Sequence, residues 1–211
     1  MPVNPTWAAS LEKQSQETQA ALRGRDPAEV VLWSGATCEV VAGETRLEVR
    51  FWDRPYLITW PDLAVRDKEG QPCPGHFQGI ILQYLLLADG TPLDNAWVSL
   101  RDLPHGSFYE QAFQSYSGNL LVRNFRENPE DFRAIARRLG GEPLEMGDAA
   151  FRFWALPRIP LAVVYWSGGG EFPDSAQVLF DKSAGHYHHL EMLAHLGGML
   201  CERLVQAREK H

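Results

Sequence analysis

Residues Arg46–Phe51, Arg-Leu-Glu-Val-Arg-Phe, alternate charged and apolar side chains along the chain. This alternation is typical of a β-strand with one face towards a core and the other towards solvent. Short runs rich in β-branched and aromatic residues flank it at 39–41 and 56–60, and turn residues at 42–44 and 53–55 separate the runs. We therefore predict a meander of three antiparallel strands in this part of the chain.

A second group of β-type runs lies in the C-terminal half of the sequence. Phe151–Trp154 alternates, Leu161–Trp166 is almost wholly apolar, and Gln177–Phe180 is a short third run. Strands gathered in two clusters, instead of alternating with helices, favour an α+β fold over a doubly wound parallel one. The prediction is a single α+β domain, with a mainly antiparallel sheet from the two strand clusters packed with several helices.

Helical patterns occupy much of the remaining sequence. Pro129–Leu139 follows a good N-cap, Asn128, and carries one apolar stripe. Gly75–Ala88 is apolar at helical spacing and predicts a buried helix. A final helix is predicted from Ala184 to Ala207, and a polar one from Ala8 to Arg23.

The length and the net charge of the chain limit the number of domains and the kinds of binding protein that it can be. The 211 residues suit one domain, and we expect a helical extension over residues 1–25 followed by the α+β domain over residues 26–207. Twenty basic and 27 acidic side chains give a net charge of −7. This charge argues against a protein that binds nucleic acid or an anionic membrane through bulk positive charge.

The N-terminus and the cysteines indicate the compartment. No basic region followed by an apolar one begins the chain, so no secretory signal is visible. The longest apolar stretch, 80–88, is about half of the ~20 residues that a membrane-spanning helix needs. Cys38, Cys73 and Cys201 are odd in number and far apart, which excludes a paired disulfide framework. We expect a cytoplasmic protein with reduced thiols and no membrane or nucleic-acid partner.

Four of the seven histidines lie at the start of the predicted final helix: His186, His188, His189 and His195. On one helix His188, Glu191 and His195 would share a side. Glu191 is spaced to share a divalent cation with either histidine, but two turns, roughly 10 Å of rise, separate the two rings. We name His188, Glu191 and the preceding Asp181 as candidate metal ligands. The alternative is a plain hydrated helix face.

A glycine-rich segment follows the apolar run that ends at Trp166. It consists of Ser167, Gly168, Gly169, Gly170 and Glu171. Glycines after a strand let a ligand approach the backbone, but the lysine and the spacing of a phosphate-binding loop are missing. The alternative is a hairpin connection whose glycines serve only turn geometry.

Tryptophans are the third feature that could form a site. Five lie in or near predicted strands: Trp52, Trp60, Trp97, Trp154 and Trp166. They could wall a pocket for a flat ligand, or they could be large core residues. The candidate ligand-binding residues are Trp154, Arg158, Trp166, Gly168, Gly169, Gly170 and Glu171.

Several short motifs in the chain resemble one known family. They are Gln83–Leu86, Trp97–Leu103 before Gly106, Gly147–Asp148, Phe151, Phe153, Pro157–Pro160, Glu171–Pro173 and Val178–Asp181. The sequence from about Asp26 to Leu204 resembles a family of bacteria and archaea described as a domain of unknown function (DUF3786). The most specific part runs from Glu171 to Asp181.

The resemblance implies a metabolic setting for the protein but assigns no catalytic residue. Relatives occur mostly in anaerobes, and some are fused to an iron–sulfur domain like that of corrinoid proteins in one-carbon metabolism. This chain has no cysteine-rich segment, and Gly168–Gly170 stands where the resemblance implies acidic residues ahead of Glu171. The histidine cluster does not belong to the family pattern.

Three hypotheses for function follow from these features. The leading one is a cytoplasmic accessory module that binds a small molecule or cofactor near the loop at Gly168–Glu171. The second is a metal-dependent enzyme that uses Glu171, Asp174, Asp181 and the pair His188 and Glu191. The third is an interaction subunit that docks a protein partner through a sheet edge or the N-terminal helix.

Overall fold

The alternating sequence at 44–51 forms the second strand of a four-stranded antiparallel sheet, in the order β1-β2-β3-β4. The strands are β1 Thr37–Val41, β2 Glu44–Phe51, β3 Arg54–Trp60 and β4 Val65–Asp67. This is a computed structural model, and it describes residues 15–126, 129–168 and 172–209. Leu47 is opposite Ile58 in the register of β2 and β3, and both side chains are fully buried. The predicted meander is confirmed, with a fourth strand added by β4.

Three helices accompany this sheet in the chain. The described part of α1 covers residues 15–23, so the rest of the predicted Ala8–Arg23 helix lies outside the described residues. Helix α2 is Pro27–Ser34 and starts where the Asp26 side chain accepts from the N–H of Ala28. Helix α3, Gly75–Leu87, confirms the buried apolar helix that the sequence predicts.

The second strand cluster forms a five-stranded antiparallel sheet in the order β5-β9-β8-β7-β6. Its strands are β5 Trp97–Ser99, β6 Glu142–Leu144, β7 Ala149–Leu156, β8 Ile159–Trp166 and β9 Ser175–Asp181. The α+β class and the two strand clusters are therefore confirmed. Among the described residues the clusters form two separate antiparallel sheets instead of the one sheet that the sequence predicts, because the strands of each cluster pair with no strand of the other.

Four helices follow in the C-terminal half: α4 Glu110–Tyr116, α5 Gly118–Phe125, α6 Pro129–Arg138 and α7 Leu190–Glu209. Aromatic side chains join them to the second sheet. Phe132 of α6 lies 5.8 Å from Phe151 of β7 and 5.5 Å from Tyr165 of β8, measured between ring centroids. Phe113 of α4 lies 5.9 Å from Phe180 of β9. No described helix is long and apolar enough to cross a membrane.

The final helix begins later than the sequence predicts. Lys182–His186 forms a short 3₁₀ turn, and α7 starts only at Leu190. The reason is Asp181, which accepts from the N–H and the hydroxyl of Ser183 at 2.9 and 2.6 Å and so starts a separate turn. The prediction that the helix starts near Ala184 was therefore wrong.

The described chain forms two compact units. The first contains the residues up to Thr91 together with Leu156–Arg158 and His186–His188. The second contains Pro92–Ala155, Ile159–Gly185 and the residues from His189 onwards. The division between residues 1–25 and 26–207 stays a prediction.

Candidate functional site

A groove lies at the loop end of the hairpin formed by β8 and β9, where Trp166 is opposite Ser175 in register. Its volume is about 620 Å³. Two aromatic rings, two amides and two hydroxyls supply most of its lining: Trp166, Phe172, Gln114, Gln177, Ser167 and Ser175. The groove thus combines apolar walls with a few hydrogen-bonding groups, which is the usual composition of a small-molecule site.

Two large apolar rings of this groove remain open to solvent. The side chain of Phe172 is 75% exposed and that of Trp166 is 36% exposed. Exposed aromatic rings beside a concavity offer flat faces on which a planar ligand can stack. The arrangement therefore supplies aromatic contact area to a ligand.

One carboxylate holds the two ends of the hairpin loop together. Asp174 accepts from the Tyr165 hydroxyl at 2.6 Å and from the N–H of Gly168 at 2.7 Å. These two donors, the hydroxyl first, hold the pKa of Asp174 below its usual range. Burial, followed by the hydrogen bond to Asp174 and then by the charge of that carboxylate, raises the pKa of Tyr165. On the other side of the loop, Asp148 accepts from the N–H of Ser167 at 2.7 Å.

Gly168 is required by the close approach of the loop to itself. A Cβ atom at this position would lie 2.0 Å from the carbonyl oxygen of Phe172. Any larger residue would therefore force the loop apart, which supports a role for this glycine in loop geometry. Gly169, Gly170 and Glu171, also named as candidate binding residues, lie outside the described residues.

Gln114 of α4 belongs to the groove, although the sequence analysis did not single it out. Its side-chain amide donates to the carbonyl oxygen of Ala176 at 2.9 Å. Gly118 lets α5 approach the same strand, since a Cβ there would lie 2.0 Å from that carbonyl oxygen. No sequence signal pointed to Gln114, because its place depends on how closely the helices approach β9.

Two predicted binding residues are not part of the groove lining. The indole N–H of Trp154 donates to Glu142 Oε1 at 3.0 Å, and the Arg152 guanidinium lies 5.1 Å from the Trp154 ring centroid. The N–H of Arg158 donates to the buried Tyr84 hydroxyl at 3.0 Å. Both residues thus serve local structure in the turns and strands that contain them.

The other tryptophans named as candidate pocket walls are likewise not in this lining. Trp52 is buried in the first unit. Trp97 packs against a small apolar cluster on the second sheet that includes Ala162 and Val164. Among the five candidates, the groove lining contains Trp166.

Two of the three candidate metal ligands have structural partners of their own. Asp181 is buried and accepts four hydrogen bonds of 2.6–3.0 Å. The donors are the N–H groups of Asp94, Asn95 and Ser183 and the hydroxyl of Ser183. His188 is also buried, and its Nε2 lies 3.2 Å from the carbonyl oxygen of Ile80.

Glu191, the third candidate ligand, is exposed and accepts from the Tyr109 hydroxyl at 3.1 Å. His188 precedes α7, so the helical spacing that suggested a shared metal with Glu191 is not realised. Over the described parts of the chain, no three His, Cys, Asp or Glu side chains are grouped so that they could hold a metal ion.

Comparison with known proteins gives one match. The model of a family described as "Domain of unknown function (DUF3786)" matches residues 26–203. No curated protein and no solved structure matches the chain.

Proposed function

The chain belongs to the DUF3786 family, and for this member we propose an accessory module that binds an uncharged, planar small molecule between Trp166 and Phe172. The observation that carries the proposal is the groove of about 620 Å³ with two solvent-exposed aromatic rings. Its volume lies within the roughly 300–1,000 Å³ typical of ligand pockets. The proposed role is binding, because the described lining contains no nucleophile–base pair.

The charge of the lining indicates the ligand class. No Lys, Arg, Asp or Glu is among the described residues that line the groove. A phosphate or carboxylate group would find no counter-charge there, whereas the amides of Gln114 and Gln177 offer both donors and acceptors to a neutral ring system. This favours an uncharged heteroaromatic ligand over an anionic one.

Hydrogen bonds that already hold the residues around the groove in place also support binding. Asp174 fixes both Tyr165 and Gly168, and Gln114 fixes the edge of β9. A site that is already ordered loses little conformational entropy when it binds a ligand. We further propose that the module acts in the cytoplasm, in a pathway linked to corrinoid and iron–sulfur one-carbon metabolism, as the family resemblance implies.

Calorimetric titration of the full chain tests the proposal with riboflavin as the uncharged planar probe, and with flavin mononucleotide, haem and a corrinoid as comparisons. We expect saturable binding of riboflavin that exceeds binding of its phosphate. Phe172→Ser should weaken this binding roughly ten-fold, since it removes one stacking face worth roughly 1 kcal/mol or more.

Phe108→Ser is the matched control, because Phe108 is 89% exposed and does not line the groove. It should leave the affinity unchanged. Failure of all four probes to bind, or an equal loss of affinity in both variants, would contradict the proposed site.

A further inference from the structure

A second cavity lies along α7 and is distinct from the groove at β8 and β9. Its volume is about 270 Å³. Its lining comes from Tyr116 of α4 and from five residues of α7: Glu191, His195, Gly198, Met199 and Glu202. Neither lysine nor arginine occurs among the described residues of this lining. The described lining therefore presents two carboxylates, the imidazole of His195 and an aromatic ring.

The two glutamates of the lining lie far apart along α7. Glu191 and Glu202 are eleven residues apart on one helix, which corresponds to about three complete turns and roughly 16 Å of rise. The two side chains consequently leave the same side of α7 with His195 and Gly198 between them. Along α7, Glu191 and Glu202 are thus the first and the last residues of the lining.

Tyr116 forms the wall between the two carboxylates. A Cβ atom on Gly198 would lie 3.0 and 3.1 Å from Cδ2 and Cε2 of Tyr116, so the ring packs directly on the helix backbone. Phe113 holds the ring edge-on, with centroids 5.6 Å apart and planes at 83°. A fixed and partly exposed aromatic face attracts an ammonium group placed over it.

Glu191 is fixed in place and ionised. The Tyr109 hydroxyl donates to its Oε1 at 3.1 Å. Its own backbone N–H and this hydroxyl hold the pKa of Glu191 below its usual range. At neutral pH the carboxylate is therefore an anion with one oxygen already oriented by Tyr109.

We propose that this cavity binds a linear aliphatic polyamine, with a terminal ammonium at each glutamate and an inner ammonium against Tyr116. An ammonium lies roughly 3 Å from a carboxylate that it contacts. For glutamates roughly 16 Å apart, the matching ligand has terminal nitrogens roughly 10 Å apart. The cavity equals the liquid volume of about nine water molecules, which suits an aliphatic chain of about that many non-hydrogen atoms.

Titration of the full chain with spermidine at low ionic strength tests this proposal, because screening of exposed charges is weakest there. We expect saturable binding at one molecule per chain. Glu191→Gln and Glu202→Gln should each weaken the affinity roughly two- to five-fold, the range for exposed ion pairs. Glu145→Gln, an exposed glutamate outside the cavity lining, is the matched control and should bind like the wild type.

Affinities for amines of different length and charge distinguish binding at this site from general ionic attraction. 1,8-Diaminooctane has a length close to that of spermidine but no inner nitrogen, and 1,3-diaminopropane is much shorter. We expect the short diamine to bind most weakly. Tyr116→Leu should weaken the affinity for spermidine roughly two- to five-fold by removing a cation–π contact. It should leave the affinity for 1,8-diaminooctane almost unchanged.

Three results would overturn the proposal. They are no saturable binding of spermidine, equal affinity in the Gln variants and the wild type, and equal affinity for the short and the long diamine. Thermal unfolding of each variant checks that the fold is retained, and affinity is compared among folded variants. Phe172→Ser should bind spermidine normally, so this proposal and the one for the β8–β9 groove can fail separately.

Discussion

The two ends of strand β9 carry carboxylates with opposite surroundings. Asp181 at its C-terminal end is buried and accepts four hydrogen bonds. Asp174, just before its N-terminal end, is half-buried and accepts two beside a groove that leaves Phe172 and Trp166 exposed. The difference shows how one strand can anchor the fold at one end and present a site at the other. Burial with both carboxylate oxygens hydrogen-bonded marks structure, whereas apolar rings left in solvent mark a place for a ligand.

Replacement of Asp181 should have the largest effect on stability. Asp181→Ala removes the acceptor of four hydrogen bonds and leaves the buried N–H of Ser183 without this partner. We expect a loss of roughly 3–5 kcal/mol in the free energy of unfolding, measured by urea denaturation. Asp181→Asn, which keeps one carbonyl acceptor, should lose less. An effect below 1 kcal/mol for the alanine variant would show that the carboxylate is not an anchor.

Gly168→Ala should have the next largest effect, at the other end of the strand. The added Cβ would meet the carbonyl oxygen of Phe172, so the loop must shift at a cost of roughly 1–3 kcal/mol. The affinity of the same variant for riboflavin should also fall. Gly79→Ala is the control, since nothing lies within 4 Å of a Cβ there and Gly79 is in helix α3. A stabilisation of up to about 1 kcal/mol is expected for it.

Asp174→Asn should have a smaller effect that depends on pH. Because the pKa of Asp174 is lowered in the folded protein, its contribution to stability is present above its unfolded pKa and is lost as the pH falls through the folded value. We expect the variant to be about 1 kcal/mol less stable than the wild type at pH 7. The two stability curves should begin to approach each other as the pH falls below about 4, the unfolded pKa, and should meet only below the lowered folded pKa. Parallel curves over the whole range would contradict an ionised Asp174 in the loop.

Phe172→Ser should have the smallest effect on stability and a large one on binding. Its side chain is 75% exposed, so the free energy of unfolding should change by about 0.5 kcal/mol or less. The same variant should lose riboflavin affinity. A loss of stability above about 1 kcal/mol would mean that the ring packs against the rest of the protein and is not free to contact a ligand.

The sequence by itself determined the classes of elements and much of their order. Periodicity is a local property, so the alternation at Arg46–Phe51 and the apolar stripe at Gly75–Ala88 predicted a strand and a helix that the structure contains. Two strands of three residues, β4 and β6, are too short to show a period, and they were missed. The start of α7 was also misplaced, because hydrogen bonds from Ser183 to Asp181 form a separate turn before it.

Only the tertiary structure decided which side chains come together. The sequence singled out Trp166 and Gly168, which lie in the groove, and also Trp154 and Arg158, which do not line it. Strand register places Trp166 opposite Ser175, and the packing of α4 brings Gln114 to the edge of β9. Register and helix approach depend on contacts between residues distant in sequence, and no local pattern encodes them. The fold class could therefore be predicted from local periodicity, whereas the groove at β8 and β9 emerges only from long-range packing.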